Sequence, residues 1–220
     1  LESTEITGYD LRWEQYLDSG SNYSFGLFYK DLAKPIEAIE LKGSDGNLLM
    51  SFRNAIGGEV YGLEAEALQK IDMFEGEYAA ILDNFFVTAN FTYSESEIEM
   101  EALGESNLTN LVRPLTGHSK YVVNFQLGYD SDNEKHTSTL TYNIFGKRIA
   151  FAGIDGKDDA YEQPFNSLDY SYSYQVMPEG SVKFSLKNLF DEKVEILQQG
   201  EILQSREQGR SIGLSYSQRF

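Results

Sequence analysis

Y-V-V-N-F-Q-L-G-Y, residues 121–129, is the stretch of sequence that decides the fold. Its odd positions are apolar and its even positions are mostly polar or small: Tyr121, Val123, Phe125, Leu127 and Tyr129 against Val122, Asn124, Gln126 and Gly128. A period of two residues is the side-chain alternation of an extended strand. We therefore predict a β-strand with one apolar face and one mostly polar face.

The same alternation recurs along the chain. It is found near residues 9–13, 22–29, 60–69, 85–94, 139–144, 168–176, 182–187 and 211–220. With the first stretch this gives about nine strands, each close to the ~9–11 residues with which a tilted strand crosses a bilayer. The sequence thus predicts an all-β protein.

The connections between these strands alternate in length. Short links are predicted near residues 19–21, 130–135 and 177–180, and long polar links near 31–53, 94–119, 150–167 and 191–210. The link near 70–83 breaks this rule, since it should be short and is not. Antiparallel strands with tight turns at one end and long loops at the other are typical of bacterial outer-membrane barrels.

Composition bounds the possible functions. The chain has 220 residues and no Pro- or Ser-rich linker, so we treat it as one structural unit. Its net charge of −17 opposes binding to phosphate backbones, so we expect no nucleic-acid partner. There is no cysteine, which excludes disulfides and thiolate metal sites. Because the chain begins at Leu1 without an initiator Met or a leader, we expect a fragment or a processed product.

The side chains also indicate which solvent surrounds the sheet. No apolar run approaches the ~20 residues of a membrane-spanning helix, but a barrel strand faces lipid only at every second residue. Tyr29, Tyr93, Tyr121 and Tyr129 lie at strand ends, where an amphipathic ring suits a lipid headgroup boundary. These features favour a transmembrane barrel. A soluble β-sandwich that binds carbohydrate stays open as an alternative, with the aromatic rows packed between two sheets.

The last strand carries a further signal. The chain ends in G-L-S-Y-S-Q-R-F, and Ile212, Leu214 and Tyr216 are in phase with the terminal Phe220. This pattern resembles the signal that outer-membrane barrels present to the barrel-assembly machinery. It departs from the usual pattern at Gln218, where a hydrophobic residue is more typical.

An ordered set of motifs resembles the C-terminal barrel of TonB-dependent receptors. The motifs are N-A-I-G-G-E-V-Y-G-L-E-A-E (54–66), R-P-L-T-G-H-S-K-Y-V-V-N-F-Q-L-G-Y (113–129), L-T-Y-N-I-F-G-K-R-I (140–149), Y-E-Q-P (161–164) and L-K-N-L-F-D-E (186–192). The resemblance implies an antiparallel up-and-down transmembrane β-barrel of 22 strands. Residues 1–220 would form about its last nine strands, with the plug domain and the TonB box outside this sequence. It also places the C-terminus and the short turns in the periplasm.

The same resemblance implies a function. The expected protein lies in the bacterial outer membrane, in contact with lipid and lipopolysaccharide, and is assembled by the barrel-assembly machinery. It would import a scarce nutrient such as a ferric siderophore, a glycan or a cobalamin, driven by the TonB complex through the plug. We expect no catalysis and no cofactor. An outer-membrane hydrolase remains a rival, for which His118 beside Ser119 would have to form a catalytic pair.

Candidate ligand-binding residues lie near the predicted extracellular strand ends. Arg113 and Arg148 could hold an anionic ligand bidentately, and Tyr161 is the third candidate. Such an arginine more often pairs with a neighbouring acid or a lipid phosphate. The group Asp155, Asp158 and Asp159 lacks the ligand spacing of a calcium loop, so we expect a solvated acidic loop and no metal site.

Polar residues of the strands have their own candidate roles. Glu64 and Glu66 are predicted on the inner face, where a carboxylate could contact a plug or simply be hydrated. A second acidic run could face the divalent cations of the lipopolysaccharide layer: Glu95, Glu97, Glu99, Glu101 and Glu105. A plainly solvated loop is the more ordinary interpretation of that run.

Overall fold

A computed structural model describes residues 1–42, 48–71, 79–102 and 108–219. Within these ranges the chain forms one four-residue helix, α1 (Ala79–Leu82), and sixteen strands. The strands are β1 (Glu5–Tyr16), β2 (Asn22–Ala33), β3 (Ile36–Lys42), β4 (Leu48–Asn54), β5 (Gly57–Lys70), β6 (Phe85–Glu99), β7 (Val112–Arg113), β8 (Tyr121–Asp130), β9 (His136–Phe145), β10 (Arg148–Phe151), β11 (Ala160–Glu162), β12 (Phe165–Met177), β13 (Gly180–Lys187), β14 (Lys193–Gln198), β15 (Glu201–Glu207) and β16 (Ser211–Gln218).

The main sheet is a continuous antiparallel meander. Its strand order is β1-β2-β5-β6-β8-β9-β12-β13-β16, and the two-residue β7 pairs with the end of β6. These nine long strands coincide with the nine segments in which the sequence alternates with a period of two. The prediction of an antiparallel all-β architecture is therefore confirmed in the described part of the chain. No helix in that part has the length and apolar content needed to cross a bilayer.

The predicted long polar loops are not loops throughout, and that expectation was wrong. One of them holds the β3–β4 hairpin, and two others hold the four-stranded sheet β10-β11-β14-β15. The order of the small sheet matches that of the adjoining part of the main sheet. In sequence, β10 follows β9, β11 precedes β12, β14 follows β13 and β15 precedes β16. We call the main sheet the wall. The small sheet continues it beyond short bends, such as the one at Asn188 with its positive φ of 53°.

One face of the main sheet is apolar across its whole width. The strand register places Trp13, Phe25, Ala65, Phe91 and Val123 in one row, and rows of the same kind lie above and below it. The three rings of this row remain 39–55% exposed. Nothing in the described chain packs against them as a second sheet would, so the β-sandwich alternative does not fit.

The opposite face is polar and forms hydrogen bonds within itself. Arg12 forms ion pairs at 2.7 Å with both Glu14 and Glu66, and Asn124 donates a hydrogen bond to Asn90 at 2.6 Å. We call the apolar side the outer face and this side the inner face. The alternation that the sequence predicted is thus present in three dimensions, with apolar side chains outside and polar ones inside.

The hydrophobic core of the chain lies at the end of the sheet with the long connections. Ile39, Ala55, Ile98 and Met100 form it, and Leu41, Leu108, Leu111 and Leu115 pack around them. Because Ile98 lies on the inner face of β6, the β3–β4 hairpin covers the inner side of the wall there. We call this region the cap, meaning the described residues within 34–56, 94–120, 146–164 and 188–210. The resemblance places the cap outside the cell.

Candidate functional site

The cap contains a small pocket beside the C-terminal end of β6. Its volume is about 210 Å³, and it is lined by Glu95, Ser96, Pro114, His118, Lys120, Lys147, Arg148, Ile149 and Tyr161. Two connections contribute to this lining: the one between β6 and β8, with the end of β6 and the segment 114–120, and the one between β9 and β12, with the β10–β11 pair. The β10–β11 register places Arg148 opposite Glu162 and Ile149 opposite Tyr161, which brings two of the three predicted ligand-binding residues to the same pocket.

The pocket has an excess of positive charge although the chain carries −17. Lys120 pairs with Glu95 at 2.7 Å, and Arg148 donates to Glu162 at 2.7 Å. The ammonium of Lys147 lies 4.0 Å from the centre of the Tyr161 ring, a cation–π contact that leaves its charge without a carboxylate in the described chain. Lys147, Arg148 and Tyr161 thus line one pocket, and both cations are of the kind that forms charge-assisted hydrogen bonds.

Burial raises the pKa of the Tyr161 hydroxyl, and the negative charges of Asp159 and Asp158 raise it further. The phenol is therefore a neutral hydrogen-bond donor at physiological pH. A donor of this kind suits a ligand oxygen. Because the phenol is neutral, Glu95 is the one negatively charged side chain among the described residues that line the pocket.

Arg113 lies behind the pocket and does not line it. Its guanidinium forms an ion pair with Glu37 at 2.9 Å, and the two side chains are only 1% and 3% exposed. This is the pairing with a neighbouring acid that the sequence left open for it. The same Nη1 also donates to Pro114 O at 3.1 Å and Thr116 Oγ1 at 3.0 Å. Its Nε and Nη2 are buried without a hydrogen-bond partner among the described residues.

His118 is held between two serines of β6. Its Nε2 lies 2.8 Å from Ser94 Oγ and its Nδ1 lies 2.8 Å from Ser96 Oγ. Burial lowers the pKa of the imidazole, the charge of Glu95 opposes this shift, and Lys120 adds to it. The ring is therefore predominantly neutral at pH 7.

This arrangement does not resemble a hydrolytic triad. Both ring nitrogens of His118 face serine hydroxyls, so no carboxylate orients the imidazole, and both serines are buried. The predicted partner Ser119 donates instead to the carbonyls of Tyr121 and Gly146, at 3.0 and 2.8 Å. His118 and Ser119 thus attach the segment 114–120 to the wall.

The acidic group after β10 also has a structural role. Asp159 is 4% exposed, accepts a hydrogen bond from Gly153 N at 2.7 Å and accepts another from Asn110 at 3.0 Å. The expectation of a solvated loop was therefore wrong for Asp159, whereas Asp155 and Asp158 are exposed. The described ranges contain no group of three or more His, Cys, Asp or Glu side chains placed to hold a metal ion.

The predicted assembly signal lies on the last strand. Ile212, Leu214 and Tyr216 are on the outer face of β16, in register with Leu186, Phe184 and Val182, and they are 55–76% exposed. Phe220 lies outside the described residues. The phase of the apolar residues is as predicted, and their role in assembly stays a prediction.

A protein-family model matches most of the chain. The model described as TonB dependent receptor-like, beta-barrel matches residues 1–189. The chain belongs to this family. TonB-dependent receptors are proteins of the bacterial outer membrane, and this chain has the same localisation. A search of curated protein sequences gives no match.

Solved structures of similar fold agree with this assignment. The ferric enterobactin receptor of Pseudomonas aeruginosa is 17% identical, with a TM-score of 0.64 over 100% of this chain and 32% of that one. The ferric yersiniabactin uptake receptor of Yersinia pestis is 16% identical, with a TM-score of 0.66 over 99% of this chain and 30% of that one. The FrpB iron transporter of Neisseria meningitidis is 11% identical, with a TM-score of 0.66 over 100% and 31%. The chain thus spans about a third of each of these structures.

The cap of this TonB-dependent receptor barrel contains residues in and behind the pocket that the sequence did not single out. Lys147 was visible next to Arg148 in the motif I-F-G-K-R-I, and the pair could have been recognised as a concentration of charge. Glu37 had no local signal, because its partner Arg113 is 76 residues away in the sequence. The β3–β4 hairpin brings the two together, and that hairpin was predicted to be a loop.

Proposed function

We propose that residues 1–220 form the C-terminal part of the barrel wall of a receptor that imports a small nutrient across the outer membrane. The edge strands β1 and β16 each pair on one side only. An unpaired strand edge in lipid leaves backbone groups without hydrogen-bond partners, where no water can replace them. Supplying the missing strands from the rest of a 22-stranded barrel would satisfy both edges.

The proposed receptor requires partners beyond this chain. A plug domain would fill the lumen and contact the polar inner face, where Glu64 and Glu66 are exposed on β5. The TonB complex would act on that plug to drive import. The barrel-assembly machinery would recognise β16 through Ile212, Leu214, Tyr216 and Phe220. Lipid and lipopolysaccharide would cover the outer face.

For the ligand we propose an anionic metal chelate. Lys147, Arg148 and Tyr161 would contact it, and the positive charge of their pocket carries this proposal. Arg113, enclosed behind the pocket, would support its wall. The similar structures include receptors for ferric enterobactin and ferric yersiniabactin and a receptor bound to pyoverdine, and the copper transporter OprC is another neighbour. A neutral glycan would gain little from these cations.

The test is a transport assay with the intact receptor in a host that lacks its own uptake systems. The panel would include ferric enterobactin, ferric yersiniabactin, ferric pyoverdine and ionic copper, with a cobalamin and a neutral glycan as contrasting substrates. We expect import of one iron chelate, lost when TonB is deleted, while binding at the cell surface persists. Import of the glycan or the cobalamin alone would refute the proposed ligand class. TonB-independent import would refute the mechanism.

A pair of variants tests the pocket itself. The double variant Lys147→Ala and Arg148→Ala should weaken binding of the transported chelate by about tenfold or more, because each charge-assisted hydrogen bond contributes roughly 1.5–3 kcal/mol. The control is Lys157→Ala with Arg210→Ala, two exposed cations of the cap outside the pocket. Equal affinities for the two double variants would exclude the pocket as the binding site.

A further inference from the structure

One wall of the pocket is a short segment held in place from several sides. Residues 113–120 contribute Pro114, His118 and Lys120 to the lining. On the β6 side, Ser94 and Ser96 hold His118, and Ser96 Oγ also accepts a hydrogen bond from Leu115 N at 3.1 Å. On the β10 side, Gly117 N donates to Ile149 O at 2.8 Å. These contacts fix Leu115 and His118 to β6 and Gly117 to β10.

The back of the same segment is fixed by a single carboxylate oxygen. Glu37 Oε2 accepts hydrogen bonds from Arg113 Nη1 at 2.9 Å, from Thr116 N at 3.2 Å and from Thr116 Oγ1 at 2.7 Å. Glu37 belongs to β3, in the connection between β2 and β5, and it does not line the pocket. Glu37, in the connection between β2 and β5, therefore fixes a segment of the connection between β6 and β8 that lines the pocket.

We propose that Glu37 is a positioning residue for the ligand pocket. Its carboxylate fixes residues 113–116 from behind, so that the β3–β4 hairpin and the pocket wall behave as one body. The part of this proposal that concerns ligand affinity rests on the proposed function. The mechanical part concerns only the chain itself and can be tested without a ligand.

The arrangement gives this carboxylate a large effect. Arg113 is enclosed, and its Nε and Nη2 have no acceptor among the described residues, so Glu37 provides the ion pair that compensates the buried charge. Loss of the negative charge at Glu37 removes that compensation. The guanidinium then gains free energy by moving toward water, and this movement breaks its hydrogen bond to the Pro114 carbonyl, so that the segment loses that contact as well as the contacts to Glu37.

Cysteine labelling tests the mechanical part, because this chain has no cysteine of its own. The reporter Pro114→Cys is placed in an intact receptor free of other cysteines and treated with a maleimide. Glu37→Gln keeps the size of the side chain and removes its charge. Glu40→Gln is the matched control, since it lies on the same strand but points to the other face of the hairpin. Because Pro114 is partly buried, its labelling rate reports how closely the segment packs, and we expect Glu37→Gln to accelerate it severalfold and Glu40→Gln to leave it unchanged.

A second reporter separates this local effect from general loosening. Ala160→Cys lies in β11, 1% exposed, within the four-stranded sheet of the cap. We expect its labelling to stay slow with Glu37→Gln. Thr116→Val, which removes one of the three bonds to Glu37 and keeps the ion pair, should give a smaller acceleration at Pro114→Cys. Equal rates for Glu37→Gln and Glu40→Gln would overturn the proposal, and so would equal acceleration of both reporters.

The affinity part is measured with ferric enterobactin as the probe. If the wild-type receptor binds it, Glu37→Gln should weaken binding by about tenfold, which corresponds to ~1.4 kcal/mol. Unchanged affinity together with accelerated labelling would overturn the claim that the wall position matters for the ligand. If no chelate of the transport panel binds even the wild type, the proposed ligand class fails, while the labelling result still decides whether Glu37 positions the wall.

Discussion

The wall and the cap of this chain are stabilised in different ways. In the nine long strands the inner face is polar and the outer face carries exposed aromatic rings, so the wall has no dry core of its own. The buried hydrophobic side chains lie in the cap, apart from Leu32, which precedes it by two residues. A wall of this kind depends on backbone pairing and on lipid, whereas the cap folds as a soluble domain does, around apolar contacts and a buried ion pair.

The largest difference between the two regions is expected at the buried ion pair. Glu37→Ala leaves the guanidinium of Arg113 enclosed without its counter-charge, which should destabilise the cap by about 3–5 kcal/mol. Hydrogen exchange of amides in β3 and β7 measures the effect, with amides of β9 as the internal reference. The wall amides should not change.

The double variant Glu37→Leu and Arg113→Met is the control for this prediction. Replacing both partners by apolar side chains of similar volume removes the uncompensated charge, so most of the protection should return. Protection that is as poor in the double variant as in Glu37→Ala would show that packing at these positions, and not the charge, stabilises the cap.

A second comparison uses two positions of one strand. Ile98 is 1% exposed in the cap and Phe91 is 39% exposed on the outer face of the wall, and both belong to β6. Ile98→Ala should destabilise the cap by about 2–5 kcal/mol, because it leaves a cavity in a packed core. Phe91→Ala leaves no cavity, because lipid fills the space of the ring, so it should lose only the transfer of the ring from water to lipid and should cost less than Ile98→Ala. Chemical unfolding in lipid vesicles measures both, and similar losses would contradict the distinction between the regions.

The third comparison is across the thickness of the wall. Phe125 points outward on β8 and its neighbour Gln126 points inward. Phe125→Lys should destabilise the folded barrel by about 2–4 kcal/mol, because a charge on the lipid face of a strand must be removed from water. Gln126→Lys should be tolerated on the wet inner side. If the inward lysine were the more harmful of the two, the assignment of the faces would be reversed.

The wall could be predicted from sequence because its environment acts on every second residue. Period-two alternation located all nine long strands, and the short turns followed from the gaps between them. The cap could not be predicted in this way, since β3 and β4 pair with each other in the middle of what looked like a polar loop. Its key contact joins Glu37 to Arg113 across 76 residues, and alternation contains no information about such a contact.

The candidate site shows the same division. Arg148 was predicted from its place near a strand end and Tyr161 was a further candidate, and the β10–β11 ladder brings them to one pocket. Arg113 lies at the end of the two-residue strand β7, and tertiary packing encloses its side chain. Reading charge and position along the sequence identifies residues that can meet a ligand, but which of them are exposed depends on how the cap packs.

The smallest expected effect is a pH dependence confined to the cap. Burial lowers the pKa of His118, so the unfolded chain takes up a proton more readily than the folded one as the pH falls. Stability of the segment 113–120 is therefore complete above the ordinary histidine pKa of about 6.5 and is lost as the pH falls through the lower pKa of the folded state. Labelling of Pro114→Cys, corrected for the reactivity of an exposed cysteine, should accelerate between about pH 7 and pH 5. His118→Gln should abolish this dependence. His136→Gln, in the wall, should leave it intact, and an identical slope with His118→Gln would assign the titration to another group.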